Sequence, residues 1–234
     1  MPAQRFHGQI AGVGSTSGVR VVVGSWHRTP LGSFGDAMVE TASGHRVLVA
    51  PSRPVAEFIE ATYVFDEVRL EPITVTSTSG RWQVASPSLT LDLTVGGRMP
   101  LGRLLRVVPV RLAASPVWAT LVDPVARRVL RGVRTRGTAL AGRREFYGAT
   151  DLHAVTALEG SFDGRPLGEL APVDPPCRFG FSSTPRRPSV TTVVTTVVTR
   201  SSAAFPVPDE PDADPDAEPG AEPRQGLTDP NRAT

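Results

Sequence analysis

The chain has 234 residues, a net charge of +2 and 40% apolar residues, which allow one large domain or two small ones. All 25 basic residues are arginine, so mechanisms that need a lysine amine, such as a Schiff base or a P-loop, are excluded. The single cysteine, Cys177, excludes an intrachain disulfide and a thiolate zinc site. The N-terminus does not resemble a signal peptide, and no run reaches the roughly 18 apolar residues of a membrane span, so we expect a soluble cytoplasmic protein.

The first 95 residues are predicted to form short strands separated by Gly, Ser and Pro. The clearest is 89–95, where leucines and a valine alternate with polar residues, as in a half-buried strand that Gly96-Gly97 would end. The other predicted strands are 5–13, 18–26, 34–41, 45–50, 63–70, 72–77 and 81–86. Their regular spacing favours an antiparallel barrel or sandwich.

Two parts of the chain have helical patterns. From Ser52 to Thr62 the apolar residues fall at helical spacing, and Ser52 is suited to cap the first turn. A helical insertion is predicted at about 99–131, with short helices at about 116–122 and 124–131. Pro109 prevents 101–122 from forming one continuous helix.

Strands resume at about 132–137 and 144–149. Asp163-Gly164 predicts a hairpin turn between strands 158–162 and 165–170, and 171–189 is proline-rich and irregular. Residues 190–199 are ten consecutive β-branched residues, typical of a strand that needs partners on both sides.

The last part of the sequence has a different composition. Residues 206–234 carry eight acidic residues and two arginines, whereas residues 1–205 carry 23 arginines and 15 acidic residues. From 201 onward Pro, Asp, Glu and Ala predominate, which predicts disorder. We therefore expect a single mostly-β domain over 1–200 and a disordered acidic tail over 201–234.

Two resemblances accompany this pattern. The stretches GSFGDAMVE, EATYVFDEVRL, FYGATDLHAV and LAPVDPPCRFGFSSTPR resemble a family of uncharacterised actinobacterial proteins, which brings no activity with it. Gly24-Ser25-Trp26 resembles the Gly-x-Trp motif of lipocalins, in which the tryptophan closes one end of the barrel. That resemblance implies an up-and-down barrel with an internal ligand cavity, and makes Trp26 the candidate ligand-binding residue.

The candidate catalytic residues are polar side chains at about 145–153. If they lie on strands, Glu145 shares a face with Tyr147, and Asp151 shares one with His153. Asp151 would orient His153 as a general base, and Tyr147 would donate a hydrogen bond. A solvated strand face explains the same alternation. No metal-ligand spacing and no cofactor-binding motif occurs, so neither a metal nor a cofactor is predicted.

An arginine-rich segment forms the third candidate region. Eleven arginines and a single acidic residue lie between Arg98 and Arg144. The arginines are interleaved with leucine, valine and Trp118, and such a segment can lie on an anionic membrane or polyanion. The simpler explanation is that the apolar side of short helices packs on the domain while the arginines face water. The surface would include Arg103, Arg106, Arg127, Arg128 and Arg131. Sequence-specific nucleic acid binding is not expected, because no binding motif occurs.

Our preferred interpretation of the function is a binding module that holds an apolar or amphipathic small molecule in the interior of a barrel. The first alternative is an enzyme that uses Tyr147, Asp151 and His153. The second is a peripheral membrane or polyanion binder that uses the arginine-rich segment. The sequence leaves the ligand and the oligomeric state open.

Overall fold

A single sheet of thirteen strands dominates the described part of the chain. The computed structural model describes residues 3–78, 80–109, 136–138, 143–180 and 184–199, with the backbone alone for 3, 136–138, 143–145 and 199. The predicted tail, the predicted helices at 116–122 and 124–131, and Arg127, Arg128 and Arg131 lie outside these residues. The mainly β fold predicted from the sequence is confirmed.

The strands follow the predicted order along the chain, with two differences besides shifted ends. One long strand covers the predicted strands 144–149 and 158–162, and the predicted strand 165–170 is replaced by two short ones. They are β1 Ala3–Ser15, β2 Arg20–Arg28, β3 Phe34–Glu40, β4 Arg46–Ala50, β5 Glu67–Leu70, β6 Thr74–Thr78, β7 Arg81–Ala85, β8 Leu89–Arg98, β9 Arg136–Thr138, β10 Arg143–Phe162, β11 Arg165–Pro166, β12 Leu170–Ala171 and β13 Ser189–Thr199. The helices are α1 Arg53–Glu60 and α2 Pro100–Leu105.

The order of strands across the sheet is β5-β4-β3-β2-β1-β13-β10-β8-β7-β6. Neighbours are antiparallel except β4 and β5, which are parallel. An up-and-down barrel pairs each strand with the next one along the chain. The first strand, β1, pairs with the last, β13, as it would in such a barrel. Within the described residues, however, β5 and β6 lie at opposite ends of the strand order and do not pair, so the sheet is open where the lipocalin resemblance implied a closed barrel.

The central place of β13 follows from its composition. Val193 and Val194 point to opposite faces of the sheet, and both are buried. A strand that is apolar on both faces needs cover on both faces and partners at both edges. β1 and β10 supply those edges, which confirms the prediction for 190–199.

The sheet curls so that one face encloses the main core. Val39 of β3 and Leu93 of β8 belong to one buried cluster, although four strands separate β3 from β8 in the sheet. We call this the concave face and the opposite one the convex face. Leu89, Leu91 and Leu93 point into the concave face and are buried, as their alternation predicted.

The convex face is covered by α1 and by the segment 173–179. Val55, Ala56 and Ile59 of α1 pack against Leu48 and Ala50 of β4. The helix confirms the prediction for 52–62. Ser52 holds the N-cap position in an extended conformation, but its side chain makes no capping hydrogen bond.

The sequence predicted a turn at Asp163-Gly164 and the end of a strand at Gly96-Gly97, and only the first of these is found. Asp163 and Gly164 have φ angles of 50° and 70°, and Phe162 pairs with Arg165, so the predicted hairpin turn is confirmed. The predicted second strand, 165–170, is wrong in its extent, because only Arg165–Pro166 pairs with β10 and Leu170–Ala171 pairs with β1. Gly96-Gly97 does not end β8, which continues to Arg98.

Candidate functional site

A β-bulge in β10 separates the polar residues predicted to act together. Ala149 pairs with Val193 of β13 and Asp151 pairs with Thr192, so Thr150 is an extra residue in β10. The bulge reverses the alternation of side chains beyond it. Tyr147 therefore lies on the convex face, whereas Asp151 and His153 lie on the concave face. The side chain of Glu145 is outside the described residues.

Asp151 is held by an arginine rather than by His153. Arg98 donates from Nε to Oδ1 of Asp151 at 2.8 Å and from Nη2 to Oδ2 at 2.9 Å. Partial burial alone would raise the pKa of Asp151, but hydrogen bonds from Arg98 and from the Leu152 backbone N–H lower it below its ordinary value. Asp151 is therefore an ionised partner of Arg98 at neutral pH.

His153 borders a polar cavity of about 180 Å³ on the concave face. Its Nε2 lies 3.5 Å from Asp151 Oδ2, and its Nδ1 lies 3.3 Å from the Gly96 carbonyl oxygen. Both ring nitrogens thus face oxygen acceptors. Because a general base needs a nitrogen whose free lone pair is directed at the substrate, this arrangement does not favour a general base. The cavity is lined by Gln9, Ser77, Thr78, Gly80, Trp82, Val95, His153, Val190 and Thr192.

A second cavity, of about 60 Å³, lies on the convex face beneath α1. We call it the aromatic cavity because five of its lining residues are Phe or Tyr and a sixth is Trp26. Asp36 is its one carboxylate. The lining residues are Phe6, Ile10, Val22, Gly24, Trp26, Phe34, Asp36, Met38, Phe58, Ile59, Thr62, Tyr63, Tyr147 and Thr195.

The pairing of β2 with β3 brings Trp26 and Asp36 together. Gly24 pairs with Asp36 and Trp26 pairs with Phe34, so all four residues share the convex face. The indole Nε1–H of Trp26 donates to Asp36 Oδ1 at 2.8 Å. This hydrogen bond occupies the space above Gly24, since a Cβ there would lie 2.3 Å from Asp36 Oδ1 and 2.4 Å from Trp26 Nε1.

A row of aromatic rings forms one wall of the aromatic cavity. Phe58 of α1 stacks on Phe6 of β1 with ring centroids 4.4 Å apart. The Phe6 ring meets Trp26 edge to face at 6.3 Å, and Trp26 lies 6.3 Å from Phe34. The resulting wall runs Phe58, Phe6, Trp26, Phe34. Trp26, the candidate ligand-binding residue that the lipocalin resemblance implied, lies in this wall.

Asp36 is a carboxyl group in an apolar setting. The residue is 5% exposed, and burial raises its pKa to about 6, although the hydrogen bond from Trp26 opposes the rise. No ion pair to Asp36 forms within the described residues. Perturbed ionisable groups of this kind often mark functional sites.

Asp36 was not among the predicted site residues, although the sequence contains a pattern that indicates a buried carboxylate. It alternates with Phe34 and Met38, so an acidic residue lies in the middle of an apolar strand face. Across the cavity, the hydroxyls of Tyr63 and Tyr147 are hydrogen-bonded to each other. The buried Oγ1 of Thr195 has no hydrogen-bond partner within the described residues.

Other candidate features of the described residues are few. No three His, Cys, Asp or Glu side chains within them are grouped as metal ligands. Neither α1 nor α2 is long and apolar enough to cross a membrane. Arg103 of α2 and Arg106 just after it are exposed, beside Leu104 and Val107, which are 64% and 79% exposed.

The chain was also compared with known proteins. No protein-family model matches it, and no curated protein matches it. Among solved structures, it is similar to the crystal structure of acetoacetate decarboxylase from Legionella pneumophila, with a TM-score of 0.41 and 7% sequence identity over 85% of each chain. A likeness of this degree says nothing about the chemistry of the chain.

Proposed function

We propose that the protein binds a small apolar or amphipathic molecule in the aromatic cavity. The observation that carries this proposal is Asp36, a nearly fully buried carboxyl group that lines an otherwise apolar, ring-lined cavity. Ligand sites commonly combine aromatic walls with a few polar groups that orient the ligand. Asp36 would supply that orientation and Phe6, Trp26 and Phe58 the apolar contact.

The cavity lies in a different place from the one expected from the sequence. A ligand was predicted in the interior of the barrel, but much of the concave face is filled by the main core, which includes Val39 and Leu93. The aromatic cavity is instead on the convex face, under α1. Its volume of about 60 Å³ compares with roughly 10–15 Å³ for one water molecule on the same measure. The ligand should therefore have only a few non-hydrogen atoms.

Native mass spectrometry after gentle purification tests this proposal. The full chain should retain a small bound mass that denaturation releases. Ile10→Phe adds volume to a residue that lines the cavity and should abolish retention. Val64→Phe adds the same kind of volume at a residue that is 49% exposed and outside the cavity, so it should retain the ligand. Equal retention by both variants would place the ligand elsewhere, and a chain that binds no member of a small-fragment library would contradict the proposal.

An enzyme remains the first alternative. The approach of His153 to Asp151 beside a polar cavity of about 180 Å³ favours it. Tyr147 faces the opposite side of the sheet and would take no part in that site. Turnover of a substrate that is lost in His153→Gln, with the fold intact by circular dichroism, would support this alternative.

A peripheral membrane binder is the second alternative. The exposed side chains of Leu104 and Val107 beside Arg103 and Arg106 favour it, since apolar and basic groups together bind anionic bilayers. Co-sedimentation with phosphatidylserine vesicles that weakens as salt rises would support it. Binding unchanged in a double variant, Arg103→Gln with Arg106→Gln, would argue against this part of the surface.

A further inference from the structure

We propose that the ligand of the aromatic cavity is a small alkylammonium cation, with the Asp36 carboxylate as its counter-ion and the surrounding rings in contact with its N-alkyl groups. This inference rests on the proposed function and specifies the chemical class of the ligand.

The first argument is the absence of a counter-charge to Asp36. Buried carboxylates in proteins are usually paired with a cation. Within the described residues the hydrogen bond from Trp26 is neutral, and no arginine or histidine lines the cavity. Glu40, four residues after Asp36 on the same face of β3, is a buried carboxylate that does have a cationic partner. Glu40 is fully buried and pairs with Arg20 at 3.1 Å. A bound cation would give Asp36 the partner that Glu40 already has.

The second argument is the chemistry of the walls. The faces of Trp, Tyr and Phe rings carry negative charge density and attract alkylammonium groups, and several rings around one cavity form the usual recognition site for such cations. Phe6, Trp26, Phe34 and Phe58 form a row of contacting rings, and Tyr63 lines the same cavity. A neutral apolar ligand would use the rings, but it would leave the carboxyl group unpaired.

The pairing predicts that binding depends on pH. Asp36 must be ionised to pair with a cation, and burial raises its pKa to about 6. The other titratable side chains that line the cavity are Tyr63 of the segment after α1 and Tyr147 of β10. The apparent affinity for a permanent cation should therefore rise with pH and level off above pH 6.

The experiment is a calorimetric titration of the full chain with tetramethylammonium chloride and, separately, with tert-butanol as a neutral molecule of similar shape. At constant ionic strength, tetramethylammonium should bind about tenfold more tightly at pH 8 than at pH 5, because at pH 5 only about a tenth of Asp36 is ionised. Asp36→Asn should bind tetramethylammonium at least about tenfold more weakly than the natural chain at pH 8. Asp66→Asn, which changes an exposed carboxylate outside the cavity, should bind like the natural chain.

The outcomes separate this inference from the proposed function. Suppose that tert-butanol binds as tightly as tetramethylammonium, that its binding is independent of pH, and that Ile10→Phe blocks it. This result would overturn the proposal that the ligand is a cation and would leave the proposed function standing. Failure of both probes to bind at millimolar concentration would count against both. The pH series on the natural chain decides the question even if Asp36→Asn does not fold.

Discussion

Arg20 and Glu40 form an ion pair in which both side chains are buried, with Nη2 of Arg20 3.1 Å from Oε1 of Glu40. The same carboxylate accepts hydrogen bonds from the backbone N–H and from Nε of Arg178, at 2.7 and 3.0 Å. Arg20 also donates to the carbonyl oxygens of Pro175 and Thr41, both at 3.2 Å. The pair therefore fastens the proline-rich segment to the convex face of the sheet.

Glu40→Gln should destabilise the protein by roughly 3–5 kcal/mol, because it leaves a buried guanidinium without its counter-charge. The loss of Glu40 would leave Arg20 with fewer hydrogen-bond partners still, since its Nε already lacks one within the described residues. Denaturation in urea measures the loss. Asp92→Asn is the matched control: it removes an ion pair whose arginine, Arg81, is 59% exposed, and should have far less effect because water screens the pair. Equal effects of the two variants would contradict the role given to Glu40.

Asp36→Asn should change how stability depends on pH. The pKa of Asp36 is about 6 in the folded chain, compared with about 3.9 for an unfolded aspartate. The folded state therefore binds more protons, and the stability contributed by this group is present below about pH 4 and lost as the pH rises through 6. The loss at pH 8 is on the order of 2–3 kcal/mol.

Asp36→Asn removes that loss, so its free energy of unfolding should exceed that of the natural chain at pH 8 and not at pH 4. Urea denaturation at both pH values, compared with the natural chain, isolates this carboxyl from other titrating groups. A variant that is less stable by the same amount at both pH values would show that Asp36 contributes through packing instead.

Local patterns predicted the strands, whereas contacts between strands determine the candidate site. The alternation at Leu89–Leu93, the β-branched run in β13 and the Asp163-Gly164 turn each depend on a few adjacent residues, and all three match the structure. The meeting of Trp26 and Asp36 depends on the register between β2 and β3, which no single strand encodes.

The bulge at Thr150 has a similar consequence. It carries no sequence signature, yet it moves Tyr147 to the opposite face from Asp151. A correct strand prediction therefore grouped side chains that do not meet. The pairing of β13 with β1 has the same origin, since it joins residues that are far apart along the chain.

Gly24→Ala should break the hydrogen bond between Trp26 and Asp36. The new Cβ would lie 2.3 Å from Asp36 Oδ1 and 2.4 Å from Trp26 Nε1, so one of the two groups must move. We expect a loss of about 1–3 kcal/mol and faster solvent exchange of the Trp26 indole proton, followed by NMR. Gly97→Ala is the control, because nothing lies within 4 Å of its Cβ position. An unchanged indole resonance in Gly24→Ala would contradict this account of the glycine.

Thr195→Val should stabilise the protein by about 1 kcal/mol, because it replaces a buried hydroxyl that has no described hydrogen-bond partner with a methyl group of the same shape. Thr192→Val, three residues earlier, removes a hydroxyl that accepts a hydrogen bond from Gln9 at 3.3 Å and should give no gain. Thermal unfolding of the two variants makes the comparison. A loss of stability in Thr195→Val would indicate that the hydroxyl has a partner, such as a bound water molecule or the ligand.

Cys177 should be nearly inert to thiol reagents in the folded protein. It is 5% exposed, and burial together with the charge of Glu40 raises the pKa of its thiol to about 12, which outweighs the opposing effect of Arg20. Since Cys177 is the only cysteine, labelling by Ellman's reagent reports directly on opening of this segment.

Glu40→Gln, which loosens the contacts that hold Arg178, should speed labelling of Cys177 at least about tenfold, whereas Asp92→Asn should leave the rate unchanged. Equal labelling rates in the two variants would mean that the segment is held by its apolar contacts, chiefly those of Phe179, rather than by the buried ion pair.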